Sequence, residues 1–389
     1  MENTHNFYMP QTNLVGVGAI KDLPTELMPY KLNKALIVTD KNMITLGYVE
    51  MVQKVLDALF IAYDVFDGVK HSNPTVSFVE DGLAYFPSKL NVLASDYDFI
   101  ISVGGGTNHD CAKGIATVAT NGGSIIDYEG WNKLTKPILP TICINTTICG
   151  AEVTMFAVIT DNSRKVKMLM GSPMMVPTMS VNDPMFMTSM PKELTAGVGF
   201  DIITQTIETL VATEASPITD ALALDCLKIA MQYLPRAYEN GYDLEAREKM
   251  MYASLMTGMS FNNGGLGLVH SMSHQLGGFY NEYHGNFDAI LLPYVLDFNS
   301  ESVSEEIMLK IAHAMGIQAG SKLQALDRII SVLENLRADL DMPERLAEMG
   351  LEKDDIDELS QNALKDISSL VNPRQATVED IMELFKAAM

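Results

Sequence analysis

An apolar run, three consecutive glycines and a helical pattern follow one another in the stretch YDFIISVGGGTNHDCAKGIATVA, residues 97–119. This order predicts a buried strand that turns sharply into a helix, the unit from which parallel α/β sheets are built. The glycines let another group approach the backbone, and the helix behind them offers free N–H groups and a positive dipole end. A pyrophosphate would suit this place. The spacing G-x-G-x-x-G is missing, however, and a tight turn without a ligand explains the glycines equally well.

The same alternation of strands and helices extends over the first 180 residues, with further apolar runs at 34–40 and 136–147. From about residue 190 onward the spacing is helical, and Pro184 lies where the pattern changes. A chain of 389 residues is long enough for two domains. We therefore predict an α/β domain with a parallel sheet at residues 1–184 and an all-α domain at residues 185–389.

Composition limits the partners that the chain can have. Its net charge of −22 argues against nucleic acid and against an anionic membrane surface, since both require clustered Lys and Arg. The four cysteines contain no C-x-x-C pair and form no disulfide framework. The N-terminal stretch does not resemble a secretory signal, and no apolar run is long enough to span a membrane. These features predict a reduced, cytoplasmic protein.

Three of the seven histidines lie close together at positions 270, 274 and 284. His270 and His274 are four residues apart, so they share one face of a helix that we predict over residues 266–275, ended by the glycines at 277–278. His284 comes shortly afterwards and could fold back to meet His270. Two or three imidazoles with a carboxylate suit a catalytic Fe²⁺ or Zn²⁺. Packed or solvated histidines without a metal are the alternative.

Two aspartates are candidates for the anionic partners of these sites. Asp201, in GVGFDIITQTIE, lies in an apolar helix start where an unpaired carboxylate would be costly, so it either binds a metal or caps the helix. Asp40 ends the apolar run ALIVTD. An acid at such a strand end can bind the adenosine ribose and repel a 2′-phosphate, which favours NAD over NADP. An ordinary helix N-cap explains Asp40 as well.

Taken together, these motifs resemble the iron-containing (group III) alcohol dehydrogenase family, near its NAD-dependent methanol, lactaldehyde and 1,3-propanediol dehydrogenases. The likeness covers nearly the whole chain, and its most specific segment is FNNGGLGLVHSMSHQLGG at 261–278. The resemblance implies a dehydroquinate synthase-like fold, with a dinucleotide-binding domain, a helical metal-binding domain and the site in the cleft between them. It also implies NAD, Fe²⁺ or another divalent metal such as Zn²⁺, and a homo-oligomer.

The same resemblance assigns roles to individual residues. Asp201, His270 and His284 would bind the metal, position 205 would supply a fourth ligand, and His274 would be the catalytic residue on the proton path. Cofactor binding would fall to Asp40 at the adenosine ribose, Gly105, Gly106 and Thr107 at the pyrophosphate, and Thr146, Thr147 and Lys167 along the nicotinamide half.

Two departures from the family pattern fall in the site itself. The family's D-x-x-x-H reads Asp201 to Gln205 here, and an amide oxygen binds a transition metal more weakly than an imidazole does. The loop T-T-A-G-T-G-S-E reads TTICGAE at 146–152, one residue shorter, with Ile148 and Cys149 in place of small residues. These changes leave open a non-catalytic or metal-altered paralogue.

We predict a metal-dependent oxidoreductase that interconverts a small primary alcohol or diol and its aldehyde with NAD(H). A lyase of the dehydroquinate-synthase type would need Lys and Arg near the metal to bind a charged sugar acid. Residues 255–298 contain neither. This part of the sequence therefore favours a small neutral substrate.

Overall fold

The run FIISVG before the glycine turn is an inner strand of a parallel sheet. The computed structural model of the chain describes residues 4–86, 97–164, 166–280 and 283–389. Its strands are β1 (Thr12–Val15), β2 (Lys34–Val38), β3 (Ala62–Phe66), β4 (Phe99–Gly104), β5 (Gly130–Trp131), β6 (Thr141–Asn145), β7 (Phe156–Asp161), β8 (Val166–Gly171) and β9 (Met179–Asn182). Six of them form the main sheet, in the order β1-β9-β6-β4-β2-β3, and every neighbouring pair is parallel.

Apolar residues cover both faces of this sheet. Along β2, Leu36 and Val38 belong to one buried cluster, while Ala35 and Ile37 belong to another on the opposite face. Every residue of β4 and β6 is buried as well. A parallel sheet packed by helices on both sides produces such continuous apolar strands, which is why the sequence reveals them.

A second, smaller sheet has the order β5-β8-β7, with β8 parallel to β5 and antiparallel to β7. The sequence analysis does not predict this mixed sheet. Its strand β8 reads VKMLMG and is rich in methionine, which favours helices more than strands.

Helices account for the rest of the regular structure apart from short 3₁₀ segments. Those among the strands are α1 (Leu23–Leu27), α2 (Lys41–Thr45), α3 (Tyr48–Ala58), α4 (Val76–Leu83) and α5 (Gly106–Asn121). Those after β9 are α6 (Lys192–Val211), α7 (Pro217–Glu239), α8 (Leu244–Gly264), α9 (Leu268–Tyr280), α10 (His284–Asn299), α11 (Glu305–Ala314), α12 (Lys322–Asp339), α13 (Ile356–Lys365) and α14 (Val378–Ala388). Among the described residues no strand follows β9, which confirms the predicted change from α/β to all-α structure.

The chain divides into two units by its internal contacts. Tyr8–Thr188 forms the α/β unit, and Ser189–Met389 together with residues 4–7 forms the helical unit. The boundary at residues 184 and 185 stays a prediction. None of the helices in the described parts of the chain is long and apolar enough to cross a membrane.

The predicted end of the histidine helix is wrong. Helix α9 continues through Gly277 and Gly278 to Tyr280 instead of ending before them. Gly277 is buried, so packing of the helix outweighs the intrinsic cost of about 1 kcal/mol that a mid-helix glycine carries. The start of α6 directly after Pro191 agrees with the helix start signal in the sequence.

Candidate functional site

Three helices of the helical unit each carry two polar side chains separated by four residues. The pairs are Asp201 and Gln205 on α6, His270 and His274 on α9, and His284 and Asp288 on α10. Residues four apart share one face of a helix, so the two side chains of each pair point to the same side. Helix α10 packs against both α6 and α9, which brings the three pairs to one place. Of the six side chains, only that of His284 is substantially exposed.

Asp201 lies at the centre of this cluster. Its Oδ1 is 3.2 Å from His270 Nε2, and its Oδ2 is 3.2 Å from His284 Nε2. The ring of His274 lies 5.9 Å from that of His270 and 6.4 Å from that of His284, measured between centroids. The structure thus brings together four residues that the sequence analysis selected.

A glycine pair lets α10 approach α6 closely. A Cβ added to Gly285 would lie 2.0 Å from the carbonyl oxygen of Gly197, so only glycine fits at position 285 in this packing. Gly285 directly follows His284, and Gly197 precedes Asp201 by about one helical turn. The backbone contact between the two glycines therefore helps to set the distance between His284 and Asp201.

The alternative role of Asp201 as a helix cap is wrong. Helix α6 begins at Lys192, and Asp201 lies well inside it with only 3 % of its surface exposed. Apart from a metal, the two imidazoles are the partners that the structure gives this carboxylate. The sequence misleads here because α6 carries apolar residues on every side, so its start is not marked by the onset of an apolar stripe.

Glu208 fixes the orientation of His270, a role that the sequence analysis does not identify. Its Oε2 lies 2.6 Å from His270 Nδ1, and its carboxylate also accepts hydrogen bonds from the backbone N–H groups of Gly267 and Val269. A carboxylate at Nδ1 places the proton on that nitrogen and leaves Nε2 as the atom that faces Asp201. Metal-binding histidines are commonly oriented in this way.

Asp366 holds His274 in a similar manner. Its Oδ2 lies 2.9 Å from His274 Nδ1, and the same oxygen lies 3.5 Å from the amide nitrogen of Gln275. Burial lowers the pKa of His274 in spite of the opposing charge of Asp366. His274 is therefore a neutral imidazole with Nδ1 engaged, and its Nε2 is available to accept a proton.

Gln205 and Asp288 have buried oxygens that make no hydrogen bond of normal geometry with the described residues. The atoms concerned are Gln205 Oε1 and both carboxylate oxygens of Asp288. Suitable ligand atoms of Asp201, His270 and Asp288 all lie within 4.8 Å of one another. Because unpaired buried oxygens are costly, and because carboxylates and imidazoles are common ligands of divalent cations, these residues fit a metal ion.

The electrostatics of the cluster also favour a cation. Burial alone would raise the pKa of Asp201, but the charge of His284 and the hydrogen bond from His270 hold that pKa well below its usual value. Burial disfavours a charged His270, yet the carboxylates of Asp288 and Glu208 raise its pKa well above the usual value. Burial also raises the pKa of Asp288 to about 6. Three buried carboxylates, those of Asp201, Glu208 and Asp288, thus lie around His270, and a divalent cation would supply further positive charge there.

In the α/β unit, the structure requires glycine at two of the three positions of the glycine turn. Gly104 has φ of 150°, and a Cβ there would lie 2.3 Å from Asn108 Cγ. A Cβ on Gly105 would lie 2.8 Å from the side chain of Thr147. At Gly106 the nearest atom to such a Cβ is Cys149 Sγ, at an ordinary 3.4 Å. The chain's own packing thus requires the first two glycines, while the space beside Gly106 would accept a Cβ.

Helix α5 begins at this turn without a side-chain cap. Its N-cap is Gly105, which has no side chain to accept from the first N–H groups. Gly106 and Thr107 are its first two residues. Free N–H groups at the start of a 16-residue helix offer an anion-binding site, so the turn fits the pyrophosphate of a dinucleotide.

The other predicted cofactor residues lie in two places. Thr146 and Thr147 follow β6, which pairs with β4, so they reach the same sheet edge as the glycine turn. Thr146 is buried and its Oγ1 has no hydrogen-bond partner within normal geometry in the described chain. Lys167 lies on β8 of the smaller sheet, opposite Thr160 of β7, and is largely buried.

Asp40 makes the helix cap that the sequence offered as its alternative role. Its Oδ1 accepts from the backbone N–H groups of Asn42 and Met43, at 2.7 and 3.2 Å. Its Oδ2 accepts from Asn108 Nδ2 at 3.1 Å, so the end of β2 is tied to the start of α5. Both carboxylate oxygens of Asp40 thus accept hydrogen bonds from the chain itself, and its role at a ribose stays a prediction.

Lys113 anchors the loop that is one residue shorter than in the family pattern. This lysine is fully buried, and its Nζ donates to the carbonyl oxygens of Ala151, Thr154 and Phe156 at 2.7 to 2.8 Å. Ile148, in the same loop, is buried too. The shorter loop is therefore a well-packed segment beside the glycine turn. The sequence gives no sign of this lysine's role, because the carbonyls that bind it lie about 40 residues further on.

Glu152 predicts a pH effect on the stability of this loop. Burial raises its pKa to about 7 from a usual value near 4.5, although Lys113 opposes the shift. The folded state therefore holds this proton more tightly, and stability is lost as pH rises from about 5 through 7. We expect Glu152→Gln to remove roughly 2 kcal/mol of the decline in unfolding free energy between pH 5 and 8.

Urea unfolding of the parent and the variant at both pH values measures this difference, since the pH-independent cost of the amide cancels between them. The exposed Glu80→Gln in α4 is the matched control and should leave the pH dependence unchanged. Equal pH dependence in the parent and Glu152→Gln would show that Glu152 is ionised in the folded protein throughout this range.

Comparison with known proteins agrees with this geometry over both units. Residues 10–184 match the family described as iron-containing alcohol dehydrogenase, and residues 195–389 match the family described as Fe-containing alcohol dehydrogenase, C-terminal. The chain belongs to the iron-containing alcohol dehydrogenase family. The predicted family and the predicted fold class are both confirmed.

Individual relatives match along the entire chain. The chain is 42 % identical to alcohol dehydrogenase 4 of Schizosaccharomyces pombe, over 98 % of this chain and 89 % of the relative. It is 40 % identical to the NAD-dependent methanol dehydrogenase of Bacillus methanolicus, over 99 % and 100 %. The solved structure of a 1,3-propanediol oxidoreductase superposes with a TM-score of 0.93 at 36 % identity and covers 100 % of both chains.

Proposed function

We propose that this chain is an NAD(H)-dependent alcohol dehydrogenase that interconverts a small primary alcohol or diol and its aldehyde. The observation that carries the proposal is the meeting of Asp201, His270 and His284, from three helices, in a chain whose full length matches the family. The relatives named above act on alcohols by their names. The absence of Lys and Arg from residues 255–298 supports a neutral substrate.

The metal would be held by Asp201, His270 and His284, with the carbonyl oxygen of Gln205 as a further donor. When bound, a divalent cation supplies a Lewis acid that polarises the alcohol or carbonyl oxygen. Glu208 keeps His270 Nε2 directed at Asp201. This arrangement preserves the ligand geometry through the reaction.

His274 would move the proton. Asp366 fixes its Nδ1, and the lowered pKa keeps the ring neutral, so Nε2 can accept the hydroxyl proton of an alcohol and pass it to water. In the reverse direction the same nitrogen returns a proton to the oxygen of the reduced aldehyde. Removing the Asp366 contact would leave the ring free to rotate away from this task.

The cofactor would bind along the carboxyl edge of the main sheet. NAD(H) supplies the hydride carrier when it is bound. The first N–H groups of α5, at Gly106 and Thr107, would bind the pyrophosphate, and Gly105 would keep the turn narrow. Thr146, Thr147 and Lys167 would contact the nicotinamide half, and Asp40 the adenosine ribose.

We prefer this function to that of a non-catalytic paralogue. Gln205, one turn after Asp201, has a buried oxygen that makes no hydrogen bond with the described residues, and Lys113 binds carbonyl oxygens of the shortened loop and of the residues after it. The fold thus accommodates both departures from the family pattern without disturbing the proposed ligands or the glycine turn. We also propose that the protein is cytoplasmic, in keeping with its four free cysteines, and that it is a homo-oligomer, as the family resemblance suggests.

Elemental analysis of the purified protein, paired with NADH oxidation across short aldehydes, tests the function. We expect about one divalent metal per chain, turnover of at least one aldehyde, and loss of both on chelation, with recovery when metal is restored. Metal-replete protein that binds NADH yet reduces no aldehyde would support the non-catalytic paralogue instead.

Asp40→Asn tests the cofactor preference without removing the helix cap. Asparagine caps helices as well as aspartate does, so stability should change little. Loss of the charge should raise the ratio of kcat/KM for NADP to that for NAD about fivefold, roughly 1 kcal/mol of relieved repulsion. The exposed Asp57→Asn in α3 is the control. An unchanged ratio in Asp40→Asn would mean that Asp40 is only a cap.

A further inference from the structure

We propose that Asp288 is itself a metal ligand and stands in for the imidazole that position 205 lacks. This inference rests on the proposed metal-dependent function, and it assigns a donor that the family pattern in the sequence does not point to. Asp288 lies four residues after His284 on α10, so both side chains leave the same face of that helix.

The carboxylate of Asp288 lies close to the ligand atoms of Asp201 and His270. One oxygen of Asp288 lies within 4.8 Å of ligand atoms of both Asp201 and His270. Ligands at 2.0 to 2.2 Å from a common ion are separated by roughly 3 to 4.4 Å, depending on the angle between them. Separations of up to 4.8 Å are somewhat larger than this, so the three side chains would need to move towards one another to share one ion.

Burial makes another role for Asp288 costly. Its side chain has no exposed surface, and neither carboxylate oxygen has a hydrogen-bond partner within normal geometry among the described residues. A buried carboxylate without a partner carries a large desolvation penalty. By contrast, Asp201 contacts two imidazoles and Glu208 accepts three hydrogen bonds. Asp288 is thus the carboxylate of this cluster with no hydrogen bond of normal geometry among the described residues. The charge of His270 and the hydroxyl of Ser273 oppose the rise that burial gives to its pKa, but they do not overcome it.

With Asp288 included, the donor set changes in kind. It contains two carboxylates, two imidazoles and the amide oxygen of Gln205, so oxygen donors outnumber nitrogen donors. Carboxylate and carbonyl oxygens suit Mn²⁺ and Mg²⁺, whereas imidazoles suit Zn²⁺ and Fe²⁺. With Gln205 and Asp288 both as oxygen donors, the centre favours harder cations and still has five donor residues.

Asp288→Asn tests this assignment because it removes the charge and keeps the shape. Full-length protein depleted of metal is titrated with Mn²⁺, and the free ion is followed by its electron paramagnetic resonance signal. Outer-shell partners of a metal typically contribute tenfold to a hundredfold in affinity, so loss of a ligand should weaken Mn²⁺ binding at least about tenfold. Zn²⁺ affinity, measured with a competing chelator, should fall by a smaller factor.

Thermal melting provides a second readout that does not depend on activity. In EDTA, Asp288→Asn should melt at a higher temperature than the parent, since a fully buried carboxylate with no hydrogen bond of normal geometry among the described residues is replaced by a neutral amide. With saturating Mn²⁺ the order should reverse. Asp297→Asn, an exposed change near the end of the same helix, should match the parent in both conditions. Asp288→Ala removes both oxygens, so it excludes weak coordination by the amide of the asparagine variant.

The outcomes separate this inference from the proposed function. If the parent binds Mn²⁺ and both Asp288 variants bind it equally well, Asp288 is not a ligand, although the metal centre stands. If the parent binds no divalent cation, the proposed metal centre and the proposed role of Asp288 are both wrong. Weaker binding in both variants together with the reversed melting order establishes Asp288 as a ligand.

Discussion

Replacement of His270 by alanine should remove metal and activity together. His270 Nε2 is 3.2 Å from Asp201, and its Nδ1 is held by Glu208, so no neighbouring imidazole can take over its position. Lewis-acid assistance contributes several kcal/mol to such reactions, so we expect kcat/KM to fall by about 10³-fold or more. Elemental analysis should show little bound metal in the variant.

His313→Ala is the matched control, because His313 is an exposed histidine of α11 in the same unit. It should retain the metal content and the turnover of the parent. Alcohol oxidation at an undiminished rate in His270→Ala would show that the cluster on α6, α9 and α10 is not the active site. Circular dichroism of both variants separates loss of metal from loss of fold.

Gln205→His should raise the affinity for Zn²⁺ or Fe²⁺ tenfold to a hundredfold, or about 1.4 to 2.8 kcal/mol. Gln205 lies one turn after Asp201 on α6, is 4 % exposed, and has an oxygen without a hydrogen-bond partner within normal geometry in the described residues. An imidazole at this position exchanges a weakly binding amide oxygen for a nitrogen that borderline metals prefer. Competition with a chromophoric chelator measures the change.

Gln232→His in α7 introduces the same side chain at an exposed position and should leave the affinity unchanged. Mn²⁺ should gain less than Zn²⁺ from Gln205→His, because Mn²⁺ has a smaller preference for nitrogen. Identical titrations for the parent and Gln205→His would place residue 205 outside the coordination shell.

Sequence patterns predict an element of the fold correctly wherever the local preference of its residues agrees with their packing in the folded chain. The parallel strands are continuous apolar runs because helices cover both faces, and the glycine turn marks the junction of β4 and α5. The helix through His270 was predicted from its spacing, but its end was not, because Gly277 is packed inside the helix. The hairpin of β7 and β8 has no comparable signal in its sequence.

Within the candidate site, the close spacing of the three histidines and the apolar surroundings of Asp201 in the sequence selected four residues, which the structure brings together. It missed Glu208 and Asp366, whose contacts with His270 and His274 no local pattern encodes, and it also missed Asp288. For Asp288 a local signal did exist, since a carboxylate four residues after His284 in HGNFDAILLP interrupts an apolar helix. Asp366 lies 92 residues from His274, so only the fold could reveal their contact.

The contact between Gly197 and Gly285 gives two residues without side chains control over the ion that the centre accepts. Any side chain at position 285 would collide with the backbone of α6 and push His284 outward. The distance between the backbones of α6 and α10 therefore limits the radius of an ion that would fit between Asp201 and His284. A single methyl group at position 285 would therefore change which cation fits the proposed centre by moving His284, without replacing any donor atom.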